Sequence, residues 1–184
     1  YEAATHPGMI DNIVINEKYM PVLGMEDVRI KVNSVGINFM NLMSALGIYP
    51  GKDNGFATLG IELCGTVVAI GSNVTLHSVG DRVMGMGYHT MASYIHSNEN
   101  AVIKIPKELS WEEASTMPVG YLTAYYSLIT LGKLSRGERV LIHAATGGVG
   151  LAAIYIAKEV GAEIYATAGS EEKRDYLKNV MGIS

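Results

Sequence analysis

With one cysteine in 184 residues, Cys64, the chain can form no internal disulfide, and this fits a reducing compartment. Basic runs are missing, and 14 Lys and Arg against 18 Asp and Glu leave a formal charge of -4. That balance carries no electrostatic footprint for nucleic acid. No apolar run is long enough to span a bilayer and no signal-peptide pattern opens the sequence, so the expectation is no membrane and a cytoplasmic location. The five histidines are scattered without metal-ligand spacing, and a catalytic zinc needs about three protein ligands, so no metal is expected. Cys64 follows Leu63 in a strand-like run and reads as a small buried apolar residue. What remains is 48% hydrophobic and 17% charged, enough apolar material for a core.

The most informative stretch is H-A-A-T-G-G-V-G over 143–150, between the β-prone run 139–142 and an apolar helix expected to end at Gly161. A second strand is expected over 163–167. Strand, glycine-rich turn, helix and strand within about 30 residues is the context of a dinucleotide phosphate loop. A pyrophosphate needs close backbone access and is drawn to the free amides of a helix N-terminus. Thr146, Gly147, Gly148, Val149 and Gly150 are the candidate cofactor-binding residues. Ala145, Gly147 and Gly150 fill the three positions of G-x-G-x-x-G, so the first turn must be one that alanine can adopt. The competing reading is a tight turn without ligand. His143 reads as structural or as a cofactor neighbour.

The end of the second strand selects the dinucleotide, because NAD enzymes usually place an acid there for the ribose hydroxyls. Here 167–170 reads T-A-G-S, with no carboxylate. Ser170, Lys173 and Arg174 offer hydrogen bonds and positive charge for a 2′-phosphate, so NADPH is the expected cofactor. The alternative for Lys173 and Arg174 is a solvated helix face. Glu171 and Glu172 fit the first turn of a new helix.

Before the helical segment 116–131 the chain is β-rich and punctuated by glycine, with strands expected over 27–32, 61–70, 82–84, 91–96 and 101–104. Such short strands suggest a small barrel. After it comes the βα pattern of a parallel sheet. The expected fold is therefore α/β plus β, with domains over 1–120 and 121–184 and no internal repeat.

The ordered motifs G-I-N-F-M-N (36–41), A-L-G-I-Y-P-G (45–51), L-G-I-E-L-C-G (59–65), G-D-R-V-M-G (80–85), T-A-Y-Y (123–126) and H-A-A-T-G-G-V-G resemble the enoyl reductase domain of polyketide synthases. That group lies in the zinc-free, quinone-oxidoreductase-like branch of the medium-chain dehydrogenase/reductase superfamily. The resemblance runs from the P-G-M-I-D opening at Pro7 to Arg174. It implies a GroES-like β-barrel substrate domain followed by a Rossmann doubly wound domain, incomplete here. The implied reaction is NADPH-dependent reduction of the double bond of an α,β-unsaturated acyl thioester on the phosphopantetheine arm of an acyl carrier protein. Other synthase domains would be partners. Zinc-dependent relatives carry G-H-E where this chain has Gly60, Ile61 and Glu62, and a cysteine within the segment now reading 36–39.

Within that resemblance Tyr49 is the catalytic candidate, because a phenol on a loop can give a proton or hydrogen bond to a developing enolate. In similar enzymes a tyrosine in this motif is associated with the configuration of an α-methyl branch. The alternative is a turn aromatic with a buried ring and a wet hydroxyl. Asn38 and Thr123 are secondary cofactor candidates, since the corresponding segments line the nicotinamide pocket in similar enzymes. Asn38 reads equally as a helix N-cap before 39–45, and Thr123 as a backbone-bonded helix residue. Asn41 stands where an acid is more usual, after Met40 where a basic residue is frequent.

Two parallel strands cannot finish a doubly wound sheet, so the remainder of the Rossmann domain beyond Ser184 is an expected partner of this stretch. This stretch alone is expected to be inactive. Three function classes follow: a synthase enoyl-thioester reductase, a freestanding quinone or enone oxidoreductase, and a non-catalytic structural piece.

Overall fold

The computed structural model describes residues 1–5, 8–17, 19–49 and 59–183. Pro7, Pro50, Gly51 and Ser184, named above, lie outside them. The chain divides into two compact units, Tyr1–Pro118 and Val119–Ser184.

The first unit is built on a five-stranded antiparallel sheet of β3 (Asp27–Val35), β4 (Glu62–Ile70), β5 (Arg82–Met86), β6 (Tyr94–Asn98) and β7 (Val102–Lys104), in the order β6-β3-β4-β5-β7. Among the described residues β6 and β7 are its two edges. Alternation in β3 turns Val28 and Ile30 into a core shared with Leu63, Val67, Val83, Ile95 and Val102. On the other side Cys64 and Met84, directly paired across β4 and β5, pack with Ile105 and Ala114. Ala114 lies on α2 (Trp111–Ser115), which Ser110 caps by accepting from the Glu113 amide while Glu113 accepts from the Ser110 amide. The Arg82 guanidinium lies 4.3 Å above the Trp111 ring. Burial pushes the Cys64 thiol up to about 11, and its Sγ donates to the Trp111 carbonyl.

Several boundaries differ from the sequence expectation. A hairpin of β1 (Glu2–Thr5) and β2 (Ile13–Asn16) was not signalled. The strand expected over 91–96 begins only at Tyr94, because Met91, Ala92 and Ser93 bond instead to the first three residues of the chain. A helix over 116–131 is replaced by α3 (Pro118–Tyr125) running into a π-helical segment, Tyr126–Leu131. Proline lacks the N–H that an interior helical position would use, so Pro118 serves as the first helical residue. Between β3 and β4, α1 (Phe39–Ala45) forms as expected.

In the second unit β8 (Arg139–Ile142) pairs in parallel with β9 (Glu163–Ala166), joined through α4 (Gly148–Val160). Helix α4 buries Ala152, Ala153, Ile154 and Ala157, and ends at Gly161 in the left-handed region, φ 79°. Small residues on that face bring the helix close to the strands. Leu177 of α5 (Glu171–Asn179), Met181 and Ile183 complete the core.

Gly65 shows how tightly the first unit is packed: a Cβ there would lie 2.3 Å from the Lys31 carbonyl oxygen and 2.5 Å from Ile30 Cγ2. Gly65→Ala should lower stability by about 1–3 kcal/mol, as overpacking does where backbone cannot yield. Urea unfolding of the intact domain checks this, and an unchanged midpoint would show that β3 and β4 can separate locally.

Candidate functional site

The phosphate-loop candidates come together at the N-terminus of α4. The chain leaves β8 at Ile142 and turns through Ala144, whose φ is +48°, so the left-handed residue is Ala144 and Ala145 takes an ordinary backbone. Ala145 is fully buried and donates its amide to Thr167 O, while the Gly147 amide goes to Ala144 O. Leu151 is the first α4 residue to donate back into the loop, to Gly147 O. The Gly148, Val149 and Gly150 amides therefore have no acceptor among the described residues.

The two ends of this loop meet different surroundings. A Cβ on Gly150 would sit 2.6 Å from Ala144 O and 2.6 Å from Ala145 Cα, so the helix can approach the strand only with glycine there. A Cβ on Gly148 would meet nothing within 4 Å, and one on Gly147 only Ala144 O at 3.3 Å. The space over Gly147 and Gly148, with unpartnered amides beneath, fits a phosphate group.

Because β8 and β9 are parallel and in register from Arg139↔Glu163 to Ile142↔Ala166, the turns after both strands emerge at the same edge. Ser170 N-caps α5, its Oγ accepting from the Lys173 amide. Arg174 Nη1 donates to Ala168 O, and the Lys173 side chain is exposed. His143 Nδ1 lies 3.0 Å from Thr167 Oγ1, which ties the loop to the end of the second strand. Thr123 is exposed on α3. Its helix runs close to the loop, since a Cβ on Gly120 would be 3.4 Å from Gly148 O.

In the first unit, Tyr49 lines a cavity of about 670 Å³ with Met40, Ile61, Met86, Tyr88 and His96. Most of this lining is apolar. Sequence reasoning missed Tyr88 and His96, which only the β5–β6 connection and the β3–β6 pairing bring to Tyr49. Arg29 Nε donates to His96 Nε2 at 2.9 Å, and burial holds the imidazole below the usual histidine range. Asn38 is the N-cap residue of α1, its amide donating to Asn41 Oδ1 at 2.8 Å, while its Nδ2 donates to Glu62 Oε1 at 2.7 Å. The N-cap place of Asn38 is thus as expected, and its side-chain amide is tied to Glu62. Asn41 Nδ2 is buried without a partner among the described residues, which an acid at this position would not have to satisfy. No group of three His, Cys, Asp or Glu that could hold a metal forms among the described residues.

The contrast between the two glycines is testable. Gly148→Val should leave the circular dichroism and melting temperature of the intact domain near those of the unmutated protein while abolishing dinucleotide binding. Gly150→Ala should lower stability by about 1–3 kcal/mol, because its Cβ meets backbone. Normal binding by a folded Gly148→Val variant would remove this turn from the phosphate site.

Residues 24–107 match the alcohol dehydrogenase GroES-like domain. A phenolphthiocerol/phthiocerol polyketide synthase of Mycobacterium tuberculosis is 43% identical over 174 residues, which are 95% of this chain and 8% of that protein. The CurK enoyl reductase superposes with a TM-score of 0.91 at 38% identity, over 100% of this chain and 57% of that one. A mycobacterial protein, Rv1454c, solved in complex with NADPH, gives a TM-score of 0.85 at 29% identity, again over 100% of this chain and 57% of that one. The chain therefore spans a little over half the length of the solved relatives and a small part of the synthase. Ordered motifs, matched domain and superposition agree: the chain is similar along nearly its whole length to polyketide synthases and to enoyl reductase domains of the medium-chain dehydrogenase/reductase superfamily, with the GroES-like domain matched over residues 24–107.

Proposed function

We propose that this chain supplies the substrate domain and the first part of the nucleotide domain of an NADPH-dependent enoyl reductase. Its substrate is an α,β-unsaturated acyl thioester carried on the phosphopantetheine arm of an acyl carrier protein, within a synthase whose other domains are its partners. The GroES-like sheet closes into a barrel, and the β8–β9 pair continues into a doubly wound Rossmann sheet. The observation that carries this reading is Tyr49, a phenol on the wall of a largely apolar cavity.

When bound, NADPH supplies hydride to the β-carbon of the enoyl group. The chain's own residues then bind, orient and protonate. The Gly148, Val149 and Gly150 amides hold the pyrophosphate, with Thr146 and Gly147 shaping the turn. Ser170, Lys173 and Arg174 take the 2′-phosphate. Asn38 and Thr123 orient the nicotinamide ring. The apolar walls at Met40, Ile61 and Met86 exclude water around the acyl chain, so that a single hydroxyl has large influence on a developing enolate. Tyr49 donates the proton at the α-carbon or fixes the face from which that carbon is protonated.

Two outcomes test this reading in the intact domain. NADPH should bind in clear preference to NADH, and Lys173→Ala should weaken it on the order of tenfold or more, the worth of one charge-assisted hydrogen bond at about 1.5–3 kcal/mol. Equal affinity of the unmutated domain for both dinucleotides would overturn the cofactor assignment. Tyr49→Phe should still transfer hydride to an α-methyl enoyl thioester, slowed by at most roughly 10²–10⁴-fold, while altering the configuration at the methyl-bearing carbon. Chiral analysis of product made with labelled NADPH reads this out. An unchanged rate and configuration would remove Tyr49 from the site.

A further inference from the structure

Strand β6 presents Tyr94, His96 and Asn98 on the face away from the core, since Ile95 and Ser97 between them are buried. Tyr94 lines a cavity of about 180 Å³ with Tyr19, Met20 and Pro21, Asn98 lines the Tyr49 cavity of about 670 Å³, and His96 lines both. Tyr88 is the other residue that the two cavities share. The imidazole therefore stands where they adjoin. Directly across the β3–β6 ladder is Arg29, whose Nε donates to His96 Nε2 at 2.9 Å. Polar atoms beside it on the Tyr49 cavity wall are turned to protein groups: Ser97 Oγ donates to the Met86 carbonyl, and Asn98 Oδ1 accepts from the Asn100 amide. His96 Nδ1 has no hydrogen-bond partner among the described residues and is not sealed from solvent.

A guanidinium has donors only, so the imidazole nitrogen that faces it must carry a lone pair. In the neutral ring the proton then sits on Nδ1, the nitrogen left open. Burial and the positive charge of Arg29 both disfavour a second proton on the ring. His96 is thus one fixed donor in a largely apolar wall, and such a donor is selective, because a chain that cannot accept from it leaves it unsatisfied. A ketone oxygen suits it, being uncharged and an acceptor only. We propose that His96 is a specificity-determining residue of the acyl site: its Nδ1–H donates to a carbonyl oxygen carried on the acyl chain beyond the enoyl thioester, so that an oxo-substituted chain is favoured over an all-hydrocarbon one. Arg29 is the positioning residue that fixes which nitrogen holds the proton. Both roles rest on the reading that the Tyr49 cavity takes the acyl chain.

The test uses the intact reductase domain with NADPH and pantetheine thioesters of α,β-unsaturated acids, all-hydrocarbon or with a single ketone placed at successive carbons along the chain. With the ketone at the fitting carbon, kcat/KM should exceed that of the hydrocarbon counterpart by about threefold to tenfold, the range of one hydrogen bond. H96F should remove that ratio. R29M keeps the ring but frees its proton to move to Nε2, so it should reduce the ratio, whereas R29K, still a donor only, should keep it. Nitrogen-15 shifts of the His96 ring read the proton's place directly: on Nδ1 in the unmutated domain and in R29K, shared between both nitrogens in R29M. R29M carries the same comparison should H96F melt early. Equal kcat/KM for the hydrocarbon and every ketone position, a preference that survives H96F, or a proton found on Nε2 of the unmutated domain would overturn the role of His96 while leaving the enoyl reductase reading intact. Failure of the unmutated domain to reduce any of these thioesters would overturn both.

Discussion

Strand β4 is hydrogen-bonded on both edges, to β3 and to β5, and from Glu62 to Gly65 it is buried on both faces. A strand so placed has no solvent side on which to relax, so each residue along it must fit a neighbour already fixed. Leu63 fills one core and Cys64 the other, Gly65 lets β3 lie close, and Glu62 extends the strand's rigidity into a polar contact with Asn38. The candidate substrate region inherits its order from this strand, because Ile61 precedes it directly and Met86 pairs with Glu62 across β5.

The second unit rests on a comparable constraint expressed through glycine. Helix α4 touches the turn after β8 at Gly150, where no side-chain atom fits. That contact aims the helix N-terminus and leaves open space above Gly147 and Gly148, so one tight approach and one open one occur within a single turn. The arrangement offers amide dipoles in place of charged side chains, which suits an anion held by a preorganised backbone. The charged residues of interest, Lys173 and Arg174, begin a different helix one strand over.

The proposed enoyl reductase role gives these local arrangements a common purpose. A reaction whose chemistry belongs mostly to a dinucleotide asks the protein for orientation, dryness and a few placed hydrogen bonds. The first unit offers a largely apolar cavity with a tyrosine on its wall, and the second a backbone cradle.

Where the pattern was local, the sequence alone was sufficient. The β8 boundaries, the α4 C-terminus at Gly161, the N-cap at Asn38 and the glycine turn all follow from periodicity, capping chemistry and backbone freedom within a few residues. The hairpin of β1 and β2 and the late start of β6 were not legible, because residues 91–93 take partners some ninety positions away. The π-helical end of α3 was equally hidden, its apolar residues scanning like any helix. Tyr49 was visible through its motif, but its companions Tyr88 and His96 were not. Glu62 could have been noticed as a carboxylate inside an apolar run, though not what it holds. Sequence by itself determined the locally coded segments and the residue types the chemistry needs; tertiary structure alone decided which distant segments pair and which atoms meet, because Asn38 and Glu62, like Gly150 and Ala144, are joined by packing that no local rule encodes.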